Sequence, residues 1–131
     1  MNEVYEFLKE AGTYYLATTE NGEPTVRPFG TVDVWNGNLT IQTGLTKPVA
    51  QQMIASKKVE ICAMSKDGRW IRVTADARLV EEVEAAEHML NAYPSLRAMY
   101  APGDGNTAIF ALENGRAVIS SFTAAPVEIA F

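Results

Sequence analysis

Four dipeptides, Asn21-Gly22, Asn36-Gly37, Asp67-Gly68 and Asn114-Gly115, punctuate this chain of 131 residues. Each joins a residue that tolerates positive φ to a glycine, the chemistry that tight turns between antiparallel strands require. The segments around them are rich in β-branched and aromatic side chains. Their spacing predicts seven strands: about Tyr14 to Thr19, Pro24 to Trp35, Asn38 to Thr43, Val59 to Ser65, Trp70 to Glu82, Thr107 to Glu113 and Arg116 to Phe122. Strands paired mostly with their sequence neighbours make an antiparallel barrel or sandwich.

Three helices interrupt this pattern. From Glu3 to Ala11, the residues Val4, Phe7, Leu8 and Ala11 recur at i, i+3, i+4 and i+7, and Gly12 can end the helix. A second helix is expected after Thr46 as N-cap, with Pro48 in its first turn and Val49, Met53 and Ile54 turned inward. A third runs from Val83 to about Tyr93, and Leu96, Met99 and Tyr100 add a turn beyond Pro94. The helices do not alternate with the strands, which excludes a doubly wound sheet. The expected architecture is mainly β, a split antiparallel barrel of six to seven strands covered by about three helices. At this length it forms one domain over residues 1–131.

A hydrophobic fraction of 47% with 21% charged residues belongs to a chain that folds. The net charge of −5, with eleven scattered Lys and Arg, argues against nucleic acid as a partner. One cysteine, Cys62, permits no internal disulfide. The opening MNEVYEFLKE lacks the basic and apolar regions of a leader, and no apolar run approaches the roughly 18 residues of a membrane span. A cytoplasmic address is expected.

Arg27 is the first residue that this pattern does not explain. In the predicted strand it shares a face with Phe29 and Thr31, and position alone leaves it equally open to facing solvent. Pro28 cannot donate a ladder hydrogen bond, so the sheet beside Arg27 is expected to be open. The second feature is Thr43-Gly44-Leu45-Thr46-Lys47-Pro48, a glycine-containing turn leading into a helix. Free N–H groups, the helix dipole, two threonine hydroxyls and one ammonium meet there. With Arg27 as a bidentate clamp they would make a monophosphate site. The same residues also describe an ordinary capped helix whose lysine points into water.

The segments PTVRPFG, LTIQTGLTKPVAQQM, VEICAM and WIRVTADARLV, in this order and separation, resemble the pyridoxamine 5′-phosphate oxidase-like superfamily of FMN-binding split barrels. The likeness spans nearly the whole chain and is greatest to small single-domain members of the flavin-nucleotide-binding and general stress protein type. It implies that FMN is the cofactor and that Arg27 and Lys47 hold its phosphate. It also implies that Pro28, Phe29, Gln42, Thr43 and Thr46 flank the flavin, with Gln51 within reach. Members are homodimers with flavin at the subunit interface, which makes Trp70 and Arg72 of a partner chain candidates to complete each site. Trp70 serves equally well as a packing residue. The substrate-binding extension of true pyridoxamine phosphate oxidases has no counterpart in FTAAPVEIAF, so that reaction is not expected.

Other candidates are weaker. His88, the sole histidine, falls among Glu84, Glu87 and Asn91 on a polar helix face, and a lone histidine builds no metal cluster. Cys62, Met64, Met89 and Met99 read as packed side chains. The expected function is an FMN-dependent oxidoreductase that moves electrons from a nicotinamide-type donor to a small planar acceptor. A non-catalytic protein that stores or senses flavin, or binds haem in the same groove, is the alternative. A deazaflavin-dependent relative would need more basic groups than this chain carries.

Overall fold

The computed structural model describes residues 1–131. Helix α1 (Asn2–Ala11) precedes strands β1 (Tyr14–Glu20), β2 (Glu23–Phe29), β3 (Asp33–Trp35) and β4 (Asn38–Gly44). Helix α2 (Pro48–Ser56) leads to β5 (Lys58–Met64) and β6 (Trp70–Val80). Helix α3 (Val83–Ala92) and a 3₁₀ turn (Pro94–Ala98) precede β7 (Thr107–Ser120) and β8 (Val127–Ala130).

The turns impose the pairing. Asn21 and Gly22 adopt φ of 53° and 80°, and Asn36 and Gly37 adopt 50° and 78°. Both pairs close two-residue hairpins, with Glu20 opposite Glu23 and Trp35 opposite Asn38. The strands form one antiparallel sheet in the order β2-β1-β5-β6-β7-β4-β3, with β8 added to β7. The sheet curls into a split barrel whose two edges are β2 and β3. Leu16, Ile61, Val73 and Ala117 stand in register across four neighbouring strands and are all buried. Val4, Phe7 and Leu8 of α1 and Val49, Ala50 and Met53 of α2 join the same core. Full burial of each large aliphatic side chain contributes about 1.5–3 kcal/mol. A second, smaller core lies on the outer face, where Ala85, Ala86 and Met89 of α3 cover Val80, Ile109 and Ala111.

Several expectations are corrected. The strand predicted from Pro24 to Trp35 is two strands, because Gly30, Thr31 and Val32 leave the ladder. Their backbone finds side-chain partners instead: Tyr14 donates its hydroxyl to the carbonyl of Thr31 at 2.6 Å. The Tyr93 hydroxyl both donates to the carbonyl of Val32 and accepts from its N–H, at 3.1 Å each. Asn114-Gly115 is a bulge in one long strand, not a hairpin. The register shifts by one residue between Thr74 and Asp76 of β6, and Asn114 takes φ 52°. Strand β8 lies in a segment for which no strand was expected. Thr46 is not the cap of α2; Lys47 occupies that position, without a capping side-chain bond. Ile54, Cys62, Met64 and Met99 are exposed instead of packed. No helix is long and apolar enough to cross a membrane.

Candidate functional site

Strand β2 ends at Phe29, and the chain that crosses from it to β3 walls one side of a cleft of about 190 Å³ with Pro28, Phe29, Gly30 and Thr31. Gln42 and Thr43 of β4 form its floor, Lys47 stands at its edge, and Leu96, Met99 and Tyr100 close the far side. Strand geometry explains why β4 supplies polar groups here. Its Leu39 and Ile41 point into the barrel core, while Gln42 lies opposite Ile109 and shares with it the face covered by α3. Gly44 keeps the floor low: a Cβ there would meet the Asn106 amide at 3.3 Å and the Tyr100 hydroxyl at 3.4 Å.

Gln42 is only 6% exposed, yet neither its amide nitrogen nor its amide oxygen has a hydrogen-bond partner within the chain. Its backbone is satisfied, since its N–H donates to the Thr31 hydroxyl at 3.1 Å. An unpartnered buried amide costs about 1–3 kcal/mol, so Gln42 calls for a partner beyond the chain, a water or a ligand group.

The turn before α2 is held from outside. Asn106 accepts at its carbonyl from the N–H of Leu45 at 2.8 Å, and its Oδ1 accepts from the N–H of Thr46 at 3.4 Å. Gln51 donates through Nε2 to the carbonyl of Leu45 at 2.9 Å. Asn106 is placed in turn by Asp104, whose carboxylate accepts from the N–H groups of Thr107, Asn106 and Ala101. Those bonds hold the Asp104 carboxyl well below the usual carboxylate range. Lys47 is exposed and takes part in no ion pair within the chain.

Arg27 lies directly opposite Leu16, so its side chain starts toward the barrel interior and passes under α2. Nη1 donates to the Leu16 carbonyl at 3.0 Å and to the Thr18 hydroxyl at 2.8 Å. Nη2 donates to the Thr25 hydroxyl at 2.5 Å and to Oε1 of Gln52 at 3.0 Å. All four acceptors are neutral. Partial burial draws the guanidinium pKa down from its ordinary value, as expected for a cation without a counterion. No carboxylate touches the guanidinium, and Glu20 joins the network one bond further out, accepting from Nε2 of Gln52 at 3.2 Å.

Among the residues predicted for the site, Pro28, Phe29, Gln42, Thr43 and Lys47 meet in the cleft. Arg27 is adjacent in sequence to Pro28 but does not line it. Thr46 is exposed on the turn beside it, and Gln51 is exposed on α2. Trp70 is elsewhere in this chain, with its ring 5.1 Å from that of Phe122. Thr31, Leu96, Met99 and Tyr100 were not expected there, nor were Thr18, Thr25 and Gln52 around Arg27. The Asn21-Gly22 turn does place Thr18 opposite Thr25, a signal readable from the hairpin alone. A larger cleft beside Thr19 and Ser56 is bordered by Glu20 and holds no lysine or arginine.

His88 is exposed on a polar helix face, as its sequence position predicts, and it also has a buried partner. Its Nδ1 lies 2.5 Å from the carboxylate of Asp33, which is 5% exposed. With the Tyr93 bonds to Val32, this pair pins α3 to the segment that walls the cleft. No group of three or more His, Cys, Asp or Glu gathers as a metal site.

A family model described as pyridoxamine 5′-phosphate oxidase matches residues 1–119 of this chain. The crystal structure of a NimC/NimA family protein from Clostridium acetobutylicum is similar to it, with 41% identity, 100% of this chain and 92% of that one covered, and a TM-score of 0.97. General Stress Protein 26 from Bacillus anthracis shares the fold at 16% identity, with 99% and 97% covered and a TM-score of 0.78. A heme binding protein from Mycobacterium smegmatis shares it at 15% identity, with 96% of this chain and 57% of that one covered and a TM-score of 0.70. No curated protein sequence matches this chain.

Proposed function

The chain belongs to the pyridoxamine 5′-phosphate oxidase family, and from that premise we propose that it binds FMN in the cleft between Pro28 and Tyr100. The carrying observation is that neither cation of this region is ion-paired: Lys47 stands at the cleft edge, and Arg27, next in sequence to the cleft residue Pro28, donates only to neutral acceptors. A phosphate dianion accepts charge-assisted hydrogen bonds roughly twice as strong as neutral ones, so it competes well with Thr25 and Gln52 for the guanidinium. Lys47 adds a flexible point charge at the start of α2, where the helix dipole also favours an anion.

When bound, FMN supplies the electron chemistry, and the protein supplies position and electrostatics. Lys47 and Arg27 hold the phosphate, Thr43 and Gln42 face the middle of the ligand, and Pro28, Phe29, Leu96 and Met99 exclude water from its apolar part. The cleft of one chain is smaller than the 300–1,000 Å³ or so of a typical small-molecule site. A second copy of the chain provides the remaining wall. Tyr15, Val26, Met64 and Phe122 are exposed, and Tyr15 lies opposite both Pro28 and Cys62 on the outer sheet face. Trp70 and Arg72 lie across from Met64 and Cys62 on the same face, and in this reading they complete a neighbouring protomer's flavin site.

With flavin seated there, we assign the protein to flavin-dependent electron transfer from a reduced nicotinamide-type donor to a small planar acceptor, at a cytoplasmic address. Flavin storage or haem binding is the competing reading, prompted by the heme binding protein of the same fold. The purified protein is expected to carry a flavin absorption spectrum and to oxidise a reduced nicotinamide with a quinone acceptor. Bound flavin without turnover would favour storage, and a haem Soret band without flavin would overturn the FMN assignment.

A further inference from the structure

We infer that residues 94–100 form a strap over the cleft, which opens between two fixed posts to admit a ligand and closes again over it. The identity of that ligand as FMN rests on the reading above; the opening does not.

The first post is Tyr93. Its hydroxyl accepts from the N–H of Val32 and donates to the carbonyl of the same residue, at 3.1 Å each, and His88 on the preceding helix is paired with Asp33. The second post is the loop after the strap. There the Asp104 carboxylate accepts from the N–H groups of Ala101, Asn106 and Thr107, and Asn106 accepts from those of Leu45 and Thr46 in the phosphate turn before α2. One end of the strap is therefore tied to the segment after β2, and the other to the turn that carries Lys47.

The stretch between the posts is held far less. No residue of 94–100 is buried, and Met99, which lines the cleft, is 71% exposed. Its backbone bonds are local, with Leu96 donating to Tyr93, and Met99 and Tyr100 donating to Leu96. Its side-chain tie is Arg97, which donates to Glu87 at 3.2 Å and to Asn91 at 2.7 Å on the exposed face of α3, where solvent weakens the pair. Few buried contacts between well-bonded ends describe an element that opens without the rest of the fold. Leu96 and Met99 lose solvent contact when a ligand fills the cleft beneath them, so occupancy favours the closed strap.

Amide-resolved hydrogen exchange of the whole chain, free and saturated with FMN, tests this. In the free protein, the amides of Leu96, Met99 and Tyr100 should exchange at least about tenfold faster than those of Val32, Asn106 and Thr107, once corrected for intrinsic rates. FMN should slow the first three by about tenfold and leave Thr107 unchanged. Arg97→Ala should keep the unfolding midpoint, since Arg97, Glu87 and Asn91 are all exposed, while the three strap amides exchange faster and stopped-flow mixing shows faster association of FMN. Strap amides as slow as that of Thr107 in the free protein overturn the opening, and strap rates that bound FMN leaves unchanged overturn the closure. A wild type that binds no FMN overturns the cofactor reading, and the opening is then decided by the free-protein rates alone.

Discussion

Nη2 of Arg27 donates to Oε1 of Gln52 at 3.0 Å, and no carboxylate touches the guanidinium. A neutral acceptor suits an anion site, since it orders the arginine without cancelling its charge. Gln52→Glu is therefore expected to weaken FMN binding at least tenfold, about 1.4 kcal/mol. Its effect on stability should be small, because the new carboxylate also faces Glu20, which now accepts from Gln52 Nε2 at 3.2 Å. Isothermal titration and thermal unfolding of the variant measure the two effects separately.

Lys47 is exposed and unpaired, so its removal should affect the ligand and not the fold. Lys47→Ala is expected to reduce FMN affinity about tenfold with an unchanged unfolding midpoint. Because salt screens an exposed charge, the difference from wild type should narrow between 0.05 M and 0.5 M salt, roughly a threefold change in screening length. Titrations at the two ionic strengths check this.

The hairpins at Asn21-Gly22 and Asn36-Gly37 are legible because positive φ has few chemical solutions, and from them follow β1, β4 and the pairing of β2 with β1, but not the break between β2 and β3 or the face of Arg27. Asn114-Gly115 carried the same signal but meant a bulge. What decides between the two is pairing with β6 on both sides, including the bond from Asn114 Nδ2 to Asp76 at 3.0 Å, and that pairing is not local. The Lys47 end of the cleft was readable from one contiguous turn. Its other wall, Leu96, Met99 and Tyr100, comes from a segment about fifty residues later, placed by the bonds of Tyr93 to Val32 and of His88 to Asp33. Helical periodicity marks such residues as core or surface, but not as neighbours of a strand end.

Gly115 exchanges backbone hydrogen bonds with Phe131, its N–H donating to that carbonyl at 2.7 Å and its carbonyl accepting from that N–H at 2.9 Å. The Phe131 ring lies where a Cβ on residue 115 would stand. Gly115→Ala is expected to destabilise by about 1–3 kcal/mol through overpacking. Removing the ring should relieve it, so Gly115→Ala in a Phe131→Ala background should cost much less. Denaturant unfolding of the four proteins completes the cycle.

Asp104 supplies the pH dependence of the loop that braces the phosphate turn. Hydrogen bonds from the N–H groups of Thr107, Asn106 and Ala101 depress its pKa in the folded state. The stability it confers is present above the unfolded value near 3.9 and is lost as pH falls toward the lower folded value. Asp104→Asn should accordingly unfold at a lower temperature than wild type at pH 6, with the gap closing below about pH 4. A series of thermal melts against pH measures the gap.

The most direct test of FMN binding through Arg27 and Lys47 is a fluorescence titration of FMN with the wild type, repeated in excess inorganic phosphate and with Arg27→Lys. The expected result is saturable quenching at one FMN per chain, reversed by phosphate, and weakened in Arg27→Lys because an ammonium cannot reproduce the bidentate fork. FMN fluorescence that the folded wild-type protein leaves unchanged would contradict it.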